Sequence, residues 1–238
     1  MLERIVRYLG AQHWNAIAIE FLIVTTGVMM GIQVSNWNDD RLDRARLGQQ
    51  FDSLRTELKG NLAAVRDYQK HVESQLRDVL ALEREFDRPD QGRPGIDGKF
   101  FNVFRVRSLI LETSAYDELT DTGSIRHLTP DVRSAITDWQ AKKGLVERVD
   151  QDALSFRIGA VDYLLNALAF EPMVASLAPS FQPGGDPPLR NDPARLAKDP
   201  KVRYYLAIRY GIETQKLQFS KDLERATETL LARLGRSD

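Results

Sequence analysis

Between Trp14 and Trp37 the chain carries one formally charged residue, Glu20. Such a stretch needs either a protein core or a lipid phase around it. As a helix, residues 15–36 extend about 33 Å, close to the thickness of a bilayer's hydrocarbon layer. A soluble core helix of that length ordinarily shows a charged face, and here Glu20 stands alone. The tryptophans at the two ends match the aromatic belts of membrane interfaces. Residues 14–38 are therefore expected to form a transmembrane signal anchor, with a short tail (1–13) before it and a soluble helical body (39–238) after it. A cleaved signal peptide fits less well. Arg4 and Arg7 would supply its basic region, but the apolar stretch is too long and no Ala-x-Ala-like site follows.

Orientation is read from the flanks. Arg4 and Arg7 precede the helix, and Arg41, Arg44 and Arg46 follow it among Asp39, Asp40 and Asp43. The rule counts Lys and Arg, so the two sides nearly tie. Long domains translocate largely regardless of charge, and a short N-terminal tail usually stays inside. The expectation is a single-pass protein of the bacterial inner membrane, N-terminus inside and body periplasmic or otherwise extracytoplasmic. The absence of cysteine suits either compartment.

Lys and Arg number 33 against 34 Asp and Glu, giving a net charge of −1 and no global basic field. Nucleic acid is therefore not an expected partner. Charged residues make up 28% of the chain and aromatics 8%, a balance that suits long solvated helices better than a sheet-rich enzyme.

Periodicity supplies the architecture. Apolar residues recur at Leu47, Phe51, Leu54, Leu58, Leu62, Val65, Tyr68, Val72, Leu76, Val79, Leu82 and Phe86, at intervals averaging about 3.5, the seam of a long bundle or coiled-coil helix. Residues 87–98 form a Pro- and Gly-rich reversal. Lys99 to Leu111 reads as a short helix, or as a strand, since a short apolar run is ambiguous. Ser114 resembles an N-cap with Asp117 three residues on, and Gly123 a left-handed stop. Thr129-Pro130-Asp131 starts a helix running to about Phe170. A long Pro-rich connection, 171–198, precedes Asp199-Pro200 and a last helix to about Leu234. The expected fold is all-α: an N-terminal transmembrane helix continuing into an elongated antiparallel bundle of three long helices plus short capping helices.

Two blocks carry a family resemblance. One is Glu20-Phe21-Leu22-Ile23-Val24, then Gly27, then Gln33-Val34-Ser35-Asn36-Trp37-Asn38-Asp39. The other is Thr113-Ser114-Ala115-Tyr116-Asp117-Glu118-Leu119, with Gly123 and Arg133 after it. They resemble an uncharacterised bacterial single-pass membrane protein family, a domain of unknown function. Its anchor ends in a Gln-Ile-Asn-Asn-Trp-Asn-like run, and it carries a Ser-Ala-Tyr-x-Glu-Leu segment. The chain departs from it at Ile19, where the family often has glycine, and at Val34-Ser35. The resemblance implies the single-pass topology and supplies no chemistry.

Within the anchor, Glu20, Gly27, Gly31 and Asn38 share one stripe at about 100° per residue. Gly27-x-x-x-Gly31 lets helix backbones approach, and an intramembrane carboxyl usually faces protein or water. The stripe is read as a contact for self-association or for a partner membrane protein. The plainer alternative is a protonated or snorkelling Glu20 with incidental glycines. Tyr116, Glu118, Gly123 and Arg133 read first as packing and turn residues at the bundle's distal end, and second as the lining of a ligand pocket there. No catalytic constellation stands out. His13, His71 and His127 lack metal-ligand spacing, so no catalytic residue, metal or cofactor is expected. The function expected is a membrane-anchored interaction, scaffold or accessory protein. The alternative is an extracytoplasmic sensor-like domain binding a small ligand and acting through a signalling partner.

Overall fold

No proline occurs before Pro89, and the chain forms one helix, α1, from Trp14 to Asp87. The computed structural model describes residues 14–87, 96–167 and 191–235. Among them the fold is all-α, without strands: α2 (Ile96–Phe104), α3 (Ser114–Asp121), a 3-10 turn (Ser124–His127), α4 (Pro130–Ala167), α5 (Pro193–Ala197) and α6 (Pro200–Leu234). The expected tail 1–13, most of the reversal at 87–98 and the first part of the connection at 171–198 lie outside the described residues. The chain divides into two units, Met1–Asp52 and Ser53–Asp238.

In the second unit α6 runs antiparallel to α1. Arg66 pairs with Glu224 and Glu228, each at 2.7 Å, whereas Glu83 and Asp87 meet Arg203 at 3.7 and 3.4 Å. It also runs antiparallel to α4, from Trp139 on Thr227 to Lys216 on Asp150 and Tyr163 on Asp199. Hence α1 and α4 point the same way, and the connection between them reverses twice. The first reversal follows α1. The second lies at α3 and the 3-10 turn, where Gly123 takes the left-handed conformation, φ 69°.

Between the reversals, residues 105–113 form an extended strap rather than the end of the expected Lys99–Leu111 helix. It descends along α1: Asn102 beside Asp78, Arg107 on Asp67, Glu112 on Asn61 and Ala115 on Glu57. Its β-branched residues Val106, Ile110 and Thr113 suit extended backbone. An extended segment cannot satisfy its own amides, so its partners must come from neighbouring side chains.

The N-caps are partly as expected. Asp199 accepts from the Lys201 amide at 2.9 Å, and Asp192 does the same for Ala194, opening a helix inside the expected connection. At α3 the expected Ser114 cap is displaced by one residue. Thr113 holds the cap position, and the helix N-terminus is tied instead by Glu57 of α1, whose carboxylate accepts from the Ala115 amide at 2.6 Å. A carboxylate at a helix N-terminus opposes the positive end of the dipole, which makes it an effective substitute cap.

Candidate functional site

In the first unit every residue from Ile17 to Asn38 is exposed, including the large side chains Phe21, Leu22, Ile23, Met29, Met30 and Trp37. The helix is long and apolar enough to cross a membrane, with a mean hydropathy of 1.9 over its most apolar window. Glu20, Gly27, Gly31 and Asn38 are all exposed on it, and a Cβ added at either glycine would meet nothing within 4 Å. The expected stripe therefore lies open along this helix. Trp37 is 62% exposed, while the Trp14 side chain lies outside those described.

The second unit holds a polar cluster of which the apolar seam reveals only Tyr68. Tyr68, Gln75, Asp150, Arg209, Glu213 and Lys216 are all at most 5% exposed. The strap explains most of them. Arg209 donates to the Arg105 carbonyl at 3.0 Å, and Lys216 donates to the Arg107 carbonyl at 3.3 Å. Asp150 accepts the Leu109 amide at 2.8 Å, and Gln75 donates to the Asn102 and Arg105 carbonyls. Lower down, Asn61 mimics a strand partner, accepting from the Glu112 amide at 2.9 Å and donating to its carbonyl at 2.8 Å.

The charges balance as two pairs. Lys216 Nζ lies 2.8 Å from Asp150 Oδ1, which also accepts from the Tyr68 hydroxyl at 2.6 Å. Arg209 Nη2 lies 2.8 Å from Glu213 Oε1, without hydrogen-bond alignment. Burial pushes the Glu213 carboxyl up and the Arg209 guanidinium down, because both lose water as charged groups. Burial likewise raises the Tyr68 phenol, and the adjacent Asp150 charge raises it further. Of these buried residues, Gln75, Asp150, Arg209 and Lys216 hold the backbone of the strap. Among the described residues no group of three or more His, Asp or Glu side chains is placed to hold a metal.

Comparison with protein-family models, with curated proteins and with solved structures finds no match.

Tyr116, Glu118, Gly123 and Arg133 lie at the end of the second unit marked by Glu57 and Leu234. The Tyr116 ring meets that of Trp139 at 6.0 Å. Arg133 donates to the Leu128 carbonyl at 2.6 Å and the Arg126 carbonyl at 3.2 Å, tying the 3-10 turn to α4. Glu118 is exposed, and its carbonyl accepts from Thr122 as α3 ends. At the opposite end a groove of about 410 Å³ lies between α1 and α6, lined by Val79, Leu80, Glu83, Arg203, Leu206, Ala207 and Tyr210. Neither the groove nor the polar cluster has a sequence motif. The only signal for the cluster is that Asn61 and Gln75 sit beside the seam residues Leu62 and Leu76, and the polar residues are the ones buried.

Proposed function

We propose that the chain is a single-pass protein of the bacterial inner membrane whose helical body serves as a scaffold or accessory interaction module. The observation that carries this reading is the unbroken exposure of residues 17–38. Twelve large apolar side chains stand in solvent there, and moving them into lipid is worth on the order of 20 kcal/mol. Placing Glu20 in lipid costs roughly 2.5–3.5 kcal/mol at the helix centre and less near an interface. Insertion wins by a wide margin. The resemblance to an uncharacterised single-pass family agrees with it.

The interaction role rests on the sealed character of the polar cluster and on the open stripe Glu20, Gly27, Gly31 and Asn38. Alkaline carbonate extraction of bacterial membranes tests the anchor: the full chain should stay with the pellet, and its release would defeat the reading. A cysteine placed at exposed Thr137, in a chain otherwise without cysteine, reports orientation. An impermeant maleimide should label it in intact spheroplasts. Photocrosslinking from a residue beside Gly31 tests the stripe, and capture of neither a second copy nor another membrane protein would remove it.

The groove between α1 and α6 favours the second reading, a sensor-like domain. Its walls are mostly apolar and its charged groups are Glu83 and Arg203, 3.7 Å apart, which suits a small amphipathic ligand with a carboxylate. Burial raises the Glu83 carboxyl, which eases displacement of its charge from Arg203. A screen of amphipathic carboxylates should give a thermal shift that Ala207→Trp, which fills the groove, removes. No shift across the screen would end this reading.

A further inference from the structure

One guanidinium in the groove between α1 and α6 answers to two carboxylates, and both hold it loosely. Arg203 Nε donates to the Ala197 carbonyl at 2.9 Å, and its guanidinium carbon stands 5.8 Å from the centre of the Phe86 ring. Those contacts fix the group's place. Nη2 reaches Asp87 at 3.4 Å, long for a hydrogen bond, and Nη1 faces Glu83 at 3.7 Å, beyond hydrogen-bond length. The Arg203, Glu83 and Asp87 side chains are 40%, 33% and 68% exposed, so solvent reaches all three. Buried Val79 and Leu206 and the half-exposed Leu80 and Tyr210 supply the apolar length of the groove beside them.

We infer that the groove binds an amphipathic monocarboxylate together with one proton, which Glu83 holds against the ligand's carboxylate. This rests on the groove reading, the second of the two above. The ligand's carboxylate takes Arg203 Nη1, whose present contact is far longer than a charge-assisted hydrogen bond of about 2.7–2.9 Å. One guanidinium then faces three carboxylates, and two carboxylates sharing a site do not both stay ionised. Glu83 takes the proton, because it lines the groove beside the incoming group, whereas Asp87 is the more exposed of the two. Burial already raises the Glu83 carboxyl against the opposing pull of Arg203, and the Asp87 charge adds to the rise. The proton comes from solvent, and Glu83 then donates a hydrogen bond to the group it had competed with for Arg203.

Among the described residues, the groups that face Glu83 are Asp87 on α1, Arg203 on α6 and, along the groove, the Tyr210 phenol. Lys99 of α2 is taken by Glu85 at 3.5 Å. Between about pH 6 and 8 an ordinary carboxylate ligand is ionised and a phenol neutral, so Glu83 is the group that changes charge on binding. Uptake of a proton sets the sign. Binding is tightest at the acid end of that range and weakens as pH rises, approaching about tenfold per pH unit for one proton. A site that used Arg203 alone would show no such dependence there.

The test uses phenylbutyrate as the probe, phenylbutanol as its uncharged counterpart, and the full chain in lipid nanodiscs. Ala207→Trp, which fills the groove, gives the background from lipid. Calorimetric titration in two buffers of different ionisation enthalpy counts the protons taken up per ligand. For phenylbutyrate the count near neutral pH should approach one, and Kd should rise at least about tenfold from pH 6 to 8. Phenylbutanol should take up none. Glu83→Gln should bind phenylbutyrate without proton uptake and with little pH dependence, since its amide donates the same hydrogen bond without titrating. Binding without net uptake, or uptake that survives Glu83→Gln, overturns the inference and leaves the groove reading standing. Absence of binding by phenylbutyrate and by every carboxylate of the thermal-shift screen removes both.

Discussion

Lys216 on α6 and Asp150 on α4 form a buried ion pair 2.8 Å long, and each also holds the strap, through the Arg107 carbonyl and the Leu109 amide. The pair therefore does two jobs: it joins two helices and supplies hydrogen bonds to a segment that cannot make its own. Removing one member leaves the other charge buried without compensation, which costs about 3–5 kcal/mol. Lys216→Met should lower stability by that amount in denaturant titration of the detergent-solubilised chain. The double variant Lys216→Met/Asp150→Asn should recover part of the loss. A loss below 1 kcal/mol for the single change would mean that the pair does not hold the core.

Asn61 offers a cleaner separation of strap from helix packing. Its amide group makes both bonds to the Glu112 backbone, so Asn61→Leu leaves a donor and an acceptor without partners. That costs about 2–3 kcal/mol. The expected signature is local: hydrogen exchange at the Glu112 amide should quicken far more than at amides of α4. Uniform quickening would mean that the strap does not open separately from the bundle.

How much of this was legible follows from what each residue packs against. Leu54, Leu58, Val65, Tyr68, Val72, Val79, Leu82 and Phe86 are buried as their spacing predicts, the last three against apolar residues of other helices such as Phe100, Val103 and Leu206. The all-α fold and the Asp199 and Thr129 starts follow from equally local chemistry. Asn61, Gln75, Arg209, Glu213 and Lys216 escape such a reading because most of them answer to a backbone strap, and an apolar period carries no information about that partner. The strap itself is ambiguous in sequence, since its apolar residues suit a helix or an extended chain. Glu57 as the cap of α3 is likewise a contact between residues 58 apart. The direction of α4 relative to α1 depends on the strap, so it too is absent from periodicity.

Gly123 is a position where backbone conformation alone sets the outcome. Its φ of 69° is unfavourable for a side chain, although a Cβ there would meet nothing within 4 Å. Gly123→Ala should therefore destabilise by about 1–2 kcal/mol through backbone strain, without any clash. Gly123→Asn should lose less, because asparagine tolerates the left-handed region better. Equal losses for the two, read from unfolding midpoints, would point to packing instead.

His71 makes the stability of the bundle depend on pH. Burial lowers its pKa, and the cations of Arg105, Arg107, Lys216 and Arg209 lower it further. Its folded value thus lies below that of an imidazole in the unfolded chain, about 6.5. The unfolded chain binds this proton more readily, so the contribution is fully present above pH 6.5 or so and is lost as pH falls through the folded value. Glu213 acts with the opposite sign. Its raised carboxyl holds a proton more tightly when folded, so its contribution is present at low pH and is lost as pH rises through its folded value. His71→Gln removes only the first effect. The variant should lose less stability than the parent between about pH 6.5 and the folded value of His71, with little change in slope at higher pH. Thermal unfolding across that range decides the matter, and parallel curves for parent and variant would show that His71 does not set the acid limit.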